Sequence, residues 1–111
     1  MKAPMIFASL FSLLLLTPSA HAADVDADAA QALAKKSGCL KCHSVDKKKD
    51  APSYQSIAKN YKGKPNAEDA LYKHMISNPK VKIDGKEETH DSPKSKNEKE
   101  LRNLARWILT R

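Results

Sequence analysis

The sequence predicts an all-α domain of about four helices that cannot fill its own core. Three observations carry that prediction. Apolar residues recur at helical spacing in three separate segments of the second half, and an alanine-rich stretch opens the domain. Beyond residue 22 only 13 Leu, Ile and Val remain in 89 residues, with no Phe. That share lies below what a highly charged chain needs to fold on apolar side chains alone. Finally, Cys39-Leu40-Lys41-Cys42-His43 holds both cysteines of the chain with a histidine directly after them.

The first 22 residues read as a secretory signal peptide. Lys2 precedes the apolar run Met5–Leu16, followed by Pro18 and the small-residue end Ala20-His21-Ala22. Twelve residues are too few to cross a bilayer as a helix, so no integral membrane segment is expected in the mature chain. Cleavage after Ala22 leaves a domain of residues 23–111 and places it in the periplasm.

The elements follow in order. Asp24–Ser37 carries acids at its start and Lys35 and Lys36 at its end, which suits the helix dipole, and Gly38 stops it. A polar loop through Lys47–Asp50 and Pro52 leads to Ser53–Tyr61, where Tyr54, Ile57, Ala58 and Tyr61 make one apolar face closed by Gly63. Asn66 is positioned to cap a third helix with Ala67, Leu71, His74 and Met75 as its buried stripe, ending before Pro79. Lys80–Lys96 reads as a long polar connection. Asn97 and Glu100 open the last helix as a capping-box-like pair, and Leu101, Leu104, Ala105 and Ile108 form its stripe, with Trp107 beside it.

The chemistry lies in Cys39–His43. Cys-x-x-Cys-His is the attachment motif of a c-type haem. Two thiols can add to the two vinyl groups as thioethers, and the next residue can offer an imidazole to the iron. A disulfide between Cys39 and Cys42 competes with this reading but closes too small a loop to stabilise much. A thioredoxin-like pair needs a βαβ setting, and a zinc site usually sets its histidines well apart from the cysteine pair. One covalent haem also answers the shortage of core.

With these residues in view, the chain resembles the small monohaem class I c-type cytochromes of the bacterial periplasm. The resemblance rests on Gly38-Cys39-Leu40-Lys41-Cys42-His43, on Pro52-Ser53-Tyr54 and on the closing Leu104-Ala105-Arg106-Trp107-Ile108-Leu109. It implies a class I cytochrome c-like fold with the first and last helices packed together, and Pro52 as the carbonyl that holds the proximal imidazole. It also implies electron transfer between redox proteins, without catalysis.

The sequence departs from the family at the sixth ligand, which is usually a methionine in the loop before the last helix. Met75 is the only methionine after residue 22, and it sits on a helical stripe. The loop instead offers His90-Asp91-Ser92-Pro93, and His90 is the leading ligand opposite His43. Met75 and His74 are the lesser candidates. A haem-based sensor, whose distal ligand gives way to O₂, NO or CO, is the alternative to an electron carrier. Lys47, Lys48 and Lys49 make a basic surface suited to an acidic redox partner. Nucleic acid is not expected as a partner, since no aromatic residues interleave with the basic ones.

Overall fold

The computed structural model describes residues 24–111, so the signal-peptide segment lies outside the described residues. Four helices are described: α1 (Ala27–Lys36), α2 (Tyr54–Tyr61), α3 (Ala67–Ile76) and α4 (Glu98–Leu109). A single 3₁₀ turn, Cys39–Lys41, follows α1, and a two-stranded hairpin, β1 (Lys80–Ile83) and β2 (Lys86–Thr89), separates α3 from α4.

Three of the four helices begin where the sequence supplies an acceptor for the free N–H groups of the first turn. The Asp26 carboxylate accepts from the Ala29 N–H, and the Ser53 hydroxyl accepts from the Ser56 N–H. The Asn97 side chain accepts from Lys99 and Glu100. The capping box at this last helix is closed indirectly. Ser95 Oγ donates to the Glu100 carboxylate at 2.6 Å and accepts from the Asn97 N–H at 3.0 Å, so it relays the reach-back that Glu100 does not make itself. At α3 the expected cap is absent: Asn66 makes no side-chain bond to the helix start. Gly38 ends α1 with a φ of 76°, a left-handed conformation that turns the chain into the Cys39–Lys41 segment.

The core gathers Ala30, Leu33 and Ala34 of α1, Tyr54 of α2, Leu71 and Met75 of α3, and Leu101, Leu104, Ala105, Trp107 and Ile108 of α4. Helix α4 is the hub, packing on each of the other three. The expected stripe of α3 needs one correction. Leu71 and Met75 are buried, Ala67 is partly so, and His74 is exposed.

Charged groups seal the seam between α3 and α4. Arg102 reaches Glu98 at 2.7 Å and Asp69 at 3.4 Å while lying over the Tyr72 ring, and Arg106 reaches Glu68 at 3.2 Å. These pairs are partly exposed, so each contributes modestly.

The polar connection after α3 is not structureless. Lys80 to Thr89 forms an antiparallel hairpin with Ile83 opposite Lys86, and Asp84 and Gly85 make the turn at φ of 50° and 77°. Two positive φ values in a two-residue loop are the mark of the hairpin turn that matches strand twist, and Asp-Gly is among its favoured pairs. Val81 and Ile83 are partly buried and alternate with exposed lysines.

Candidate haem site

The Cys39–Lys41 turn projects both thiols from one short stretch, and both are free and partly buried. Burial pushes the Cys39 thiol above its ordinary value, and the neighbouring Cys42 adds to the shift. The loop after the motif then folds back on it. Ala51 N–H donates to the Cys42 carbonyl at 3.1 Å and Tyr54 N–H to the Ser44 carbonyl at 2.9 Å. Lys49 is also tied in, its ammonium donating to the Leu40 carbonyl at 2.9 Å.

That return brings the Pro52 carbonyl to 2.7 Å from His43 Nδ1. Proline is well suited to the position, since its fixed φ stiffens the loop that presents the acceptor. With Nδ1 as the donor of this bond, the other ring nitrogen keeps its lone pair free for a metal.

His43 also lies against aromatic rings. Tyr54 stacks on it with centroids 5.4 Å apart and planes 21° apart, and Trp107 meets Tyr54 edge-on at 5.5 Å. This row runs from the cysteine motif through the start of α2 into α4. Sequence reasoning placed Tyr54 and Trp107 in helices without seeing their link to His43. The pairing of Pro52-Ser53-Tyr54 with a buried tryptophan was the available signal.

His90 follows immediately after β2 and also comes close to His43. Its ring centroid is 6.3 Å from that of His43, with planes inclined at 55°. Rings this far apart leave room for one metal with bonds of about 2.0–2.1 Å to a nitrogen of each. The His90 ring is partly buried, and its Nδ1 is buried without a hydrogen-bond partner. Burial, then the nearby His74 and His43 rings, lowers its pKa against the weaker pull of Asp91. The neutral imidazole is thereby favoured, and that is the form that ligates metals.

The other two candidates are placed differently. His74 is exposed on α3 with its ring 5.4 Å from the His90 ring. Met75 is buried in the core with Leu71.

The residues present fit a haem. Tyr54 OH, Trp107 Nε1 and His90 Nδ1 are all buried without partners, and their rings are linked to His43 directly or, for Trp107, through Tyr54. An orphaned buried polar atom costs about 1–3 kcal/mol, so such a group of them suits a bound molecule that carries both apolar surface and carboxylates.

The family model for cytochrome c matches residues 27–111. The chain is 35% identical over 81 residues to cytochrome c-552 of Hydrogenobacter thermophilus, covering 70% of this chain and 76% of that protein. It is 38% identical over 78 residues to cytochrome c2 of Rubrivivax gelatinosus, covering 69% and 91%. Among solved structures, the class 1 cytochrome MtoD from Sideroxydans lithotrophicus ES-1 superposes with a TM-score of 0.75 at 45% identity, covering 78% of this chain and 97% of that one. The chain therefore belongs to the cytochrome c family, with the all-α class I fold, a general role in electron transfer and one covalent haem c at its Cys39–His43 segment.

Proposed function

We propose that the mature protein, residues 23–111 after removal of a signal peptide, is a periplasmic electron carrier with bis-histidine ligation. Cys39 and Cys42 would hold the haem through thioethers, and His43 and His90 would supply the two imidazoles that bind its iron. The haem supplies a one-electron Fe(III)/Fe(II) couple. The protein's part would be to hold His43 and His90 in place whichever charge the iron carries.

The observation that carries this reading is the 6.3 Å spacing of the His43 and His90 rings. The Pro52 carbonyl at His43 Nδ1 supports it, since it fixes which nitrogen is free for the iron. Lys47 and Lys48 are exposed beside the motif and give the carrier a basic surface for an acidic redox partner. The electron-carrier role does not call for catalysis.

The test is a set of three variants of the holoprotein read by absorption spectroscopy. His90→Ala is expected to give a high-spin or water-ligated ferric spectrum and a ferrous form open to CO. His74→Ala and Met75→Leu are expected to keep the wild-type ligation spectrum. If Met75→Leu alone makes the haem high-spin, methionine is the ligand and the assignment falls.

A further inference from the structure

We infer that Asn78 is a positioning residue for the distal ligand, holding His90 through its backbone carbonyl. The inference rests on the reading of His90 as that ligand and concerns how this chain keeps it in place.

The reasoning begins with the hairpin ladder. Lys80 stands opposite Thr89, so the next pair outward is Pro79 with His90. His90 N–H donates to the Pro79 carbonyl at 2.9 Å, extending the ladder by one residue. In such a pair the opposite residue normally returns the bond with its own N–H. Pro79 has none to give. The His90 carbonyl would then be left without its ladder donor at the point where the strand hands over to the ligand.

Asn78 supplies the substitute. Its side-chain amide Nδ2 donates to the His90 carbonyl at 3.0 Å. To do so, Asn78 sits just past α3 with a φ of 49°, in the left-handed region that asparagine tolerates better than most residues. A non-glycine residue held there is locally strained, and such strain persists where the surroundings require it. The same residue thus follows the C-cap of α3, precedes the proline and replaces the proline's missing donor. His90 is consequently clamped at both backbone polar groups to the end of α3, although it follows a strand with no buried residue.

A ligand fixed at its backbone has fewer ways to swing off the metal. Removal of the clamp is therefore expected to raise the fraction of molecules with His90 detached, without changing which residue ligates. The experiment measures CO association to the ferrous holoprotein by stopped flow, where detachment of the distal ligand limits the rate. Asn78→Gly keeps the positive φ and deletes the amide. Asn78→Asp keeps the shape and replaces the donor with an acceptor. Both are expected to speed CO binding about three- to tenfold, the range that loss of one net hydrogen bond allows, with Asn78→Asp at the upper end. Both should retain a low-spin ferric spectrum at rest.

Lys80→Ala is the comparison variant. It removes the bond from Lys80 Nζ to Thr89 Oγ1, one pair along the hairpin, and leaves the His90 carbonyl untouched. Its CO rate is expected to match wild type. If Lys80→Ala speeds CO binding as much as Asn78→Gly does, general hairpin stability holds the ligand and the inference is overturned. If neither Asn78 variant changes the rate while His90→Ala opens the iron to CO, the inference fails and the ligand assignment stands. If His90→Ala itself leaves the ferrous iron closed to CO, both fall.

Discussion

Asn103, near the middle of α4, grips the backbone of Asp26 at both of its polar groups. Its Oδ1 accepts from the Asp26 N–H at 2.9 Å, and its Nδ2 donates to the Asp26 carbonyl at 2.8 Å. The two residues are 77 positions apart. Asn103 is itself buried, although α4 otherwise buries only apolar side chains. The pairing fixes the start of α1, already capped by Asp26, on the last helix.

Asn103→Ala should therefore cost about 1–3 kcal/mol, the worth of two partly buried hydrogen bonds with a backbone carbonyl and N–H left behind. Asn103→Asp should cost more, because a carboxylate oxygen would face the Asp26 carbonyl. Guanidinium unfolding of the holoprotein measures both, and the haem absorption spectrum should be unchanged. Equal midpoints for wild type and Asn103→Ala would show that the pairing is dispensable.

Leu104 is nearly inaccessible, at 1% exposure, and its truncation to alanine should cost about 2–5 kcal/mol in the holoprotein. Leu109, only partly buried on the same helix, should cost much less when changed in the same way. In the double variant Cys39→Ala, Cys42→Ala the haem has no covalent attachment, and the haem-free chain should show weak helicity by circular dichroism. A cooperative melt of that haem-free chain would contradict the view that the haem completes the core.

Replacing His90 by methionine should raise the reduction potential, because His/Met ligation favours the ferrous state relative to two imidazoles. A potentiometric titration of wild type and His90→Met side by side is the measurement. An unchanged potential would mean that residue 90 does not ligate the iron.

The seam between α3 and α4 should weaken in acid. The hydrogen bond from Lys73, reinforced by Arg102, holds the Asp69 carboxyl below its ordinary value. The folded state therefore binds this proton less readily than the unfolded chain does. Its contribution is present above roughly pH 4 and is lost as pH falls through the lower folded value. Asp69→Asn should flatten that part of the stability–pH curve, and added salt should shrink the difference between the two proteins.

The sequence made the helices legible because each carries a periodic apolar face and, in three of four cases, a capping side chain next to it. Cys39, Cys42 and His43 were legible because their chemistry demands close spacing. The hairpin was missed although Asp84-Gly85 announces its turn, since β2 has no apolar alternation to set against it: Lys86, Glu87, Glu88 and Thr89 are all exposed. The stripe of α3 was extended too far in including His74, which faces outward while its ring lies by His90. Asn103 was invisible for a different reason. A buried asparagine satisfied by a backbone far away in the chain has no local signature.

The closure of α1 on α4 also sets an order of events during biogenesis. A chain synthesised N-terminus first presents Cys39 and Cys42 long before Asn103, Leu104 and Trp107 arrive to complete the fold. Contacts between the two ends are the ones that must wait for the whole chain, since the entropy of closing so long a loop has to be met before any of them can form. The thiols are partly buried in the folded chain. Attachment of the haem is thus easiest in the interval before the last helix docks, and a chain truncated ahead of α4 should still be a substrate for attachment while being unable to shut the site behind it.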